Sequence, residues 1–224
     1  MIRSAIASAL LFAASVPLCS AETGTSTSRW YLTVSSGASF ISDPDVTFSP
    51  GAGPSASGKL ELGGGFMAGG AVGWYLRPDV RIELDYNYRN NELSSTSVPG
   101  LDRDPSDADY ASVLIMANVF KDFDGWSTDW AEFRPYLGAG LGIAQEVDTD
   151  LEIGGVAREF SGDRRAWQLL AGVNWQYRSP WFAGVGIRYI DAGTVGLESS
   201  PSGLGEIEAD YQGLALDIRL GYRF

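Results

Sequence analysis

The sequence predicts an all-β chain that forms an eight-stranded antiparallel transmembrane β-barrel, with short periplasmic turns and longer extracellular loops. Three observations predict this fold class. Apolar and polar residues alternate with a period of two in several long segments. After residue 21, no apolar run is long enough to cross a membrane as a helix. Aromatic residues gather near both ends of the predicted strands, as they do at the two interfaces of a membrane.

Composition limits the functions that the chain can have. It has 224 residues, with 16 Lys and Arg against 28 Asp and Glu, and a formal net charge of -12. Nucleic acid is not an expected partner, because phosphate binding needs clustered lysine and arginine. The sequence contains no histidine, which excludes Ser-His-Asp and Cys-His catalysis and every His-ligated zinc or haem site. We therefore predict no catalytic residue, no cofactor and no metal site.

Residues 1–21 are predicted to be a secretory signal peptide, and residues 22–224 a single barrel domain. Arg3 supplies the positive charge, and Ala5–Val16 is an apolar segment too short to span a bilayer. Small residues suited to cleavage follow at Cys19–Ala21. The alternatives are an ordinary N-terminal helix and a lipoprotein site at Cys19, which the bulky Leu18 disfavours. Cleavage after Ala21 removes the only cysteine, so we expect no disulfide.

The segment Val80–Tyr88 shows the alternation most clearly. Its even-numbered residues are apolar or aromatic, whereas its odd-numbered residues include Arg81, Glu83 and Asp85. A half-buried strand of a soluble protein gives the same pattern. The final segment, Tyr211–Phe224, favours the membrane, because its apolar face is a full strand long while its other face carries small residues and charges of both signs. A soluble sandwich would instead expose many lysines and glutamates.

About eight such segments are present, the smallest usual number for a membrane barrel. Pro78 and Pro180 mark tight turns, since proline fixes φ and does not fit a central strand. The connection at 122–132 is longer than the other two turns and is expected to hold a small extra turn. Long polar loops are expected at 41–58, 93–108, 146–163 and 192–207. The predicted strands are 29–40, 59–76, 79–92, 109–121, 133–145, 164–178, 181–191 and 208–224.

Two details of the barrel surface follow from these strands. In the segment 109–121, Ala111, Val113, Ile115, Ala117 and Val119 are expected to face outward, although a slip of one residue is conceivable because both faces are apolar.

The aromatic residues are expected at two levels. Those predicted at the periplasmic rim are Trp30, Trp74, Phe123, Phe133, Trp175, Trp181, Tyr222 and Phe224. Those predicted at the outer rim are Phe40, Tyr88, Tyr110, Trp167, Tyr189 and Tyr211.

Charged residues on the inward face are expected to form a network in the barrel interior. The lumen of a small barrel is just wide enough for side chains to fill it, and an unpaired charge there is costly. A structural network is favoured over a selectivity lining or gated conduit. Gly138, Gly140 and Gly142, with Gly63, Gly65 and Gly69, are expected to make room for bulky arginines. The predicted inward charges are Glu61, Arg81, Glu83, Asp85, Arg89, Arg178, Arg188, Asp217, Arg219 and Arg223.

The predicted outer loops carry most of the surplus negative charge. Asp148–Glu152 is similar to a calcium loop, but Ile153 occupies the position where an EF-hand needs glycine. A solvated acidic surface is the simpler interpretation. A further hypothesis is diffuse bridging by divalent cations between these loops and anionic lipopolysaccharide.

Four stretches resemble the small outer-membrane β-barrel proteins of the OmpA-like and opacity type. They are GWYLRPDVRIELDY at 73–86, MANVF at 116–120, RPYLGAGLG at 134–142 and YRF at 222–224. The resemblance implies an eight-stranded barrel in the outer membrane of a Gram-negative bacterium. It also implies that Tyr222 and Phe224 are the signal read by the barrel-assembly machinery. It implies no single activity, because such proteins include structural proteins, adhesins, antigens and porins.

Four functions are compatible with these features of the sequence. The favoured one is a structural barrel that contacts outer-membrane lipid and lipopolysaccharide and presents its loops to an extracellular ligand; the oligomeric state stays undetermined. The alternatives are a porin-like channel for small solutes, a barrel enzyme and a soluble lipocalin-like binder. An enzyme is disfavoured, because no histidine and no other catalytic constellation is present.

Overall fold

The computed structural model describes residues 29–50, 54–99, 102–103, 109–153, 156–177, 179–200 and 205–224. The predicted signal peptide, residues 1–21, lies outside these ranges. Within them no helix is long and apolar enough to cross a membrane. The regular elements of these ranges are β1 (Trp30–Ile41), β2 (Asp45–Pro50), β3 (Ala56–Arg77), β4 (Val80–Thr96), β5 (Asp102–Arg103), β6 (Asp109–Asp122), β7 (Trp126–Ser127), β8 (Ala131–Ile153), β9 (Val156–Tyr177), β10 (Trp181–Ser200) and β11 (Gly205–Arg223).

The strands close into a ring of eight positions. The hydrogen-bonded order is β1-β11-β10-β9-β8-β6-β4-β3, and β3 pairs back onto β1. Beyond β1, β2 takes over the same position, because it also pairs with β3 and β11. All pairings are antiparallel. The predicted fold class, an eight-stranded antiparallel β-barrel, is confirmed.

Short connections join the strands at one end of the barrel, which we call the turn end. Arg77 pairs with Val80 across the first of them. The connection at 122–132 holds the predicted extra turn, in which β7 pairs with the start of β8 and the backbone N–H of Thr128 donates to the carbonyl of Ala131 over 2.8 Å. By the predicted orientation, this is the periplasmic end.

At the opposite end, the loop end, the strands are longer than predicted. The described parts of the segments 146–163 and 192–207 are hairpin arms: β8 and β9 pair as far as Ile153 and Val156, and β10 and β11 as far as Glu198 and Glu206. Apolar residues alternate in these arms and are buried inside the barrel, namely Val195, Leu197, Ile207 and Ala209. The acidic residues between them led to the prediction of loops.

The outward face between the two ends is apolar, as lipid contact requires. In β4, Ile82, Leu84 and Tyr86 are exposed on this face. In β6, Ser112, Leu114, Met116 and Asn118 are buried, which confirms the predicted register from Ser112 onward. Ala111 was expected to face outward but is buried, next to a register shift between Ala111 and Val113. Along the described strands, no charged side chain stands on the outward face between the two aromatic levels. A charge at the midplane would cost about 2–4 kcal/mol.

Aromatic rings pack against one another at both levels. At the turn end, the ring of Trp30 stacks on that of Trp74 with centroids 5.3 Å apart. At the other level, the ring of Trp167 lies 5.5 Å from that of Tyr189. The prediction was wrong for Tyr110 and Tyr211, which are buried and stack on each other inside the barrel.

Three irregularities in strand pairing exchange the inward and outward faces near the loop end. They lie between Glu61 and Gly65 in β3, between Ala144 and Val147 in β8, and between Asp191 and Gly193 in β10. The first corrects the prediction for Glu61. Leu60 is buried, whereas Glu61 is exposed and its carboxylate accepts a hydrogen bond of 2.6 Å from the hydroxyl of Ser95.

The interior toward the loop end is apolar rather than charged. A cluster that includes Phe48, Leu60, Leu93 and Leu114 fills it. Beyond the membrane, the outer surface of the strands meets water. Burial of apolar side chains inside this part of the barrel therefore stabilises it, as in a soluble protein. This second core was not predicted, because part of it, including Phe48 and Leu93, lies in segments predicted as loops.

Inward glycines make room mainly for rings and amides rather than for arginines, which corrects the expectation. A Cβ atom on Gly138 would lie 2.4 Å from the ring of Phe120, and one on Gly140 would lie 1.9 Å from the Asn118 amide oxygen. A Cβ atom on Gly172 would lie 2.2 Å from the carbonyl oxygen of Val185. At Gly172 the obstacle is the backbone of the neighbouring strand, so a methyl group fits there only if that strand moves.

We predict that Gly172→Ala destabilises the barrel by about 1–3 kcal/mol, the usual cost of overpacking a close-packed interior. The change is measured as the urea midpoint of unfolding in lipid vesicles. Gly64→Ala is the matched control, because the nearest atom to its Cβ would be 3.8 Å away, on the ring of Phe40. Equal midpoints for the two variants would contradict the packing argument.

Candidate functional site

The candidate site is the charged interior of the barrel, and β4 supplies its main row of side chains. Residues two apart on a strand share a face, so Arg81, Glu83, Asp85, Asn87 and Arg89 all face inward. Each of the five is at least 96% buried. The row is buried because the other strands of the ring surround it.

Near the turn end, Arg81 contacts two acids and two rings. It forms an ion pair with Glu83, and its Nε lies 3.2 Å from Oδ1 of Asp122. The Tyr31 hydroxyl donates to the Glu83 carboxylate over 2.7 Å and accepts from Nη1 of Arg81 over 3.0 Å. The guanidinium carbon also lies 4.0 Å from the ring centroid of Phe120, a cation–π arrangement.

Arg188 on β10 forms the second centre of the network. It forms an ion pair with Asp85, and its Nε donates to Oδ2 of Asp217 over 2.8 Å. The side-chain amide of Asn87 donates to the other oxygen of Asp85. The two carboxylates that face Arg188 therefore come from β11, the neighbour of β10, and from β4, four positions away across the ring.

Arg219 on β11 joins the two centres. Its Nη1 lies 3.7 Å from Oε1 of Glu83, and its Nε lies 3.6 Å from Oδ1 of Asp217. Its guanidinium carbon is 5.1 Å from the ring centroid of Tyr136. The result is one connected chain of ion pairs across the lumen, in the order Asp122, Arg81, Glu83, Arg219, Asp217, Arg188 and Asp85.

The buried charges of the described residues cancel. They are four arginines, Arg81, Arg89, Arg188 and Arg219, and four acids, Glu83, Asp85, Asp122 and Asp217. An isolated buried charge is strongly unfavourable, and good pairing geometry offsets much of that cost. An interior with no net charge can therefore remain closed to water.

Four of the predicted residues differ from the rest in their placement. Arg89 is buried, but its Nε and Nη1 have no hydrogen-bond partner within the described part of the chain. Glu61 is exposed and lies apart from the network, for the reason given above. Arg178 lies outside the described residues. Arg223, at the turn end, has its guanidinium carbon 4.5 Å from the ring centroid of Tyr75.

Asp122 and the role of the inward aromatic residues were not predicted. Asp122 was assigned to a turn, although it continues the inward series Asn118 and Phe120 at the same spacing of two. Extending that series by one step would have found it. Tyr136 is also inward, and its ring packs against that of Phe120 with centroids 5.6 Å apart.

The last strand ends in a cluster of aromatic residues on the outside of the barrel. The ring of Tyr222 lies 5.0 Å from that of Trp181 and 5.3 Å from that of Phe224. The backbone N–H of Phe224 donates to the carbonyl of Trp30 over 3.2 Å. The chain terminus is therefore held against the first strand, and the side chain of Phe224 is exposed.

The described side chains do not assemble a metal centre. Among them, no group of three or more Cys, Asp and Glu residues could hold an ion together. Each acid of the lumen chain has an arginine as its nearest cation. The arrangement is suited to neutralising charge and fixing side chains in place.

Comparison with known proteins gives a family and a fold. A family described as "Outer membrane protein beta-barrel domain" matches residues 6–224. The structure is similar to Neisserial surface protein A, with a TM-score of 0.52, 19% identity, and coverage of 88% of this chain and 98% of that chain. It is also similar to the outer membrane protein OprG from Pseudomonas aeruginosa, with a TM-score of 0.56, 17% identity, and coverage of 88% and 97%. No curated protein matches the sequence.

We predict that Arg188→Met destabilises the barrel by about 3–5 kcal/mol, because it leaves the carboxylates of Asp85 and Asp217 buried without their cation. Urea unfolding in lipid vesicles, followed by tryptophan fluorescence, measures the effect. Arg188→Lys keeps the charge but loses the two-sided contact, and it should fall between wild type and Arg188→Met.

The matched control is Arg77→Met, which removes an exposed arginine at the end of β3. It should change stability by no more than about 0.5 kcal/mol. A loss of stability as large as that of Arg188→Met would show that the effect comes from net charge and not from the buried pairs.

Proposed function

The chain belongs to the outer membrane protein β-barrel family, and from that premise we propose that it is a closed structural barrel of the outer membrane whose interior is sealed by a charged side-chain network. It stabilises the membrane in which it is embedded and presents its loop end to the outside. The connected chain of buried ion pairs between Asp122 and Asp85 is the observation that carries the proposal.

Three layers of side chains support a sealed lumen. At the turn end, the ring of Tyr31 packs against the rings of Tyr75 and Phe182, with centroids 5.3 Å and 5.7 Å away. The ion-pair chain lies above this layer, and the apolar cluster around Leu93 and Leu114 follows toward the loop end. A solute would have to displace all three layers, and an eight-stranded barrel has little room for their side chains to move aside.

The surface role rests on the two long hairpins, β8–β9 and β10–β11. They are the longest arms of the barrel at the loop end, and the sequence places most of the surplus acidic residues there. We propose that these arms hold an extracellular ligand. Solvated carboxylates also keep them from associating with one another.

The proposed partners follow from this placement. Outer-membrane lipid covers the apolar face, and lipopolysaccharide contacts the loop-end interface. The barrel-assembly machinery reads Tyr222 and Phe224. Nucleic acid is not among the partners, since the net charge is -12. We propose no enzymatic activity: the sequence has no histidine, and the buried acids are engaged by arginines and therefore poorly placed to move protons.

A porin-like channel for small solutes is the second candidate function. The observation that favours it is Arg89, a buried cation with two donor nitrogens that find no partner among the described residues. Unpartnered donors in a lumen are what a polar solute would use on its way through. The layers on both sides of Arg89 argue against a continuous path.

We predict that the purified barrel shows no steady conductance in a planar lipid bilayer, because the three layers block the lumen. The measurement is single-channel recording at moderate voltage in potassium chloride. The double variant Arg81→Ser and Tyr31→Ser removes side chains from two layers and serves as the control for detecting an opening. A stable conductance in the wild-type protein would favour the channel instead.

We predict that Phe224→Ser lowers the yield of folded barrel in cells by at least several-fold, whereas refolding of the purified chain into lipid vesicles stays unchanged. The reason is that the proposed signal acts through the assembly machinery and not through stability. Heat-modifiable gel mobility measures folding in both settings. Phe123→Ser removes another exposed ring at the turn end and is the matched control; an equal loss in cells for both variants would contradict a terminal signal.

A further inference from the structure

The barrel wall is open at one place near the loop end, between β9 and β10. The two strands pair as far as Asp191 and Trp167, and pairing resumes only at Glu198 and Ser161. On β10, the separation begins at the irregularity at Gly193, whose φ of 62° lies in the left-handed region. Glycine adopts that conformation without the strain that a side chain would add.

A cleft of about 780 Å³ lies at this opening. Its lining includes Ile143, Asp163, Arg164, Arg165, Trp167 and Asp191. Arg164 is in register with Ala144, which is buried in the lumen, yet Arg164 is exposed. This difference is expected where the adjacent strand has moved away and left the side chain open to the outside.

The described lining of the cleft carries two arginines and two acids. Neither Arg164 nor Arg165 has an ion pair or hydrogen bond within the described part of the chain. Of the two acids, Asp191 already accepts a hydrogen bond of 2.7 Å from the backbone N–H of Gly193. The described lining is therefore neutral, with two guanidinium groups and two carboxylates, on a chain that is acidic as a whole, and the two guanidinium groups are its described groups that can bind an anion.

The level of the cleft relative to the membrane is set by Trp167 and Tyr189, which form the outer aromatic level. Arg165 shares the outward face of β9 with Trp167 and lies two residues nearer the loop end, a distance of about 6.6 Å along a strand. Interfacial aromatic rings lie at the level of lipid headgroups. The arginines are thus at or just above the depth of headgroup phosphates, with the apolar Ile143 beside them.

We propose that this cleft binds the phosphate-bearing headgroup of a glycolipid of the outer leaflet, with Arg164 and Arg165 as the groups that hold the phosphate. Guanidinium groups match phosphate oxygens in geometry as well as in charge. The acyl chains of such a lipid would continue down the apolar wall past Ile143 and Trp167. This site rests on the proposed contact with lipopolysaccharide and is independent of whether the lumen is closed.

The test compares lipids on the folded, full-length mature protein in detergent, with binding measured by native mass spectrometry. Diphosphoryl lipid A should bind more tightly than its dephosphorylated form. Arg164→Gln and Arg165→Gln should each weaken diphosphoryl lipid A by about tenfold, the scale of a charge-assisted hydrogen bond. Asp163→Asn should leave this affinity unchanged or increase it, since it removes a repelling charge.

The matched control is the pair Arg77→Gln and Arg134→Gln, which removes two arginines at the turn end and should leave lipid A binding unchanged. Heat-modifiable mobility checks that each variant is folded. Three results would overturn the site: equal binding by wild type and the Arg164→Gln, Arg165→Gln double variant, equal affinity for phosphatidylethanolamine, or full competition by millimolar inorganic phosphate, which would indicate a site for free anions. A steady conductance would refute the closed lumen and leave this result unaffected.

Discussion

Every backbone N–H and C=O group in the hydrocarbon region must find its partner within the protein, because lipid tails offer none. The ring of β-strands meets this requirement only by closing, and β1 completes it by pairing with both β3 and β11. Closure directs every second side chain into the narrow interior of the barrel. Each inward residue must then be small, apolar or paired, which is why Gly138 faces the ring of Phe120 and Arg188 faces two carboxylates.

The barrel is built for two different surroundings along one axis. On β11, the outward face changes from Glu206 and Glu208 at the loop end to Leu216 and Ile218 in the membrane region. The inward face changes in the opposite sense, from Ile207 and Ala209 to Asp217 and Arg219. Where water lies outside, the core is apolar like that of a soluble protein; where lipid lies outside, the core is polar and internally neutral. The opening in the barrel wall between β9 and β10 lies close to the boundary between these two regions.

Much of this arrangement was predictable from alternation alone. The faces of β4, β6 and β11 follow directly from a period of two, and so do Arg81, Glu83, Asp85, Arg89, Arg188, Asp217 and Arg219 as inward residues. Glu61 was misplaced because the pairing irregularities of β3 exchange its faces. The glycine run 63–65 marks that place, since glycine within a strand often accompanies a bulge, but Gly63 and Gly65 were interpreted as space for arginines. The arms at 146–163 and 192–207 were taken for loops because their outward residues are acidic, although Val195, Leu197 and Ile207 keep the strand period inside. Which charges pair across the lumen depends on the register between strands. The pattern within a single strand does not determine that register.

The closure of β1 onto β11 also has a consequence for how the chain reaches this state. Tyr31 is paired with Arg223, and these two residues are separated by most of the sequence. Until that contact forms, both terminal strands are open edges, the kind of surface on which extended chains aggregate. Such non-local pairing is slow to form, because loop-closure entropy is lost before any contact compensates for it. The chain is therefore most prone to aggregation before its first and last strands pair. The topology itself requires that the open edges be protected during that interval.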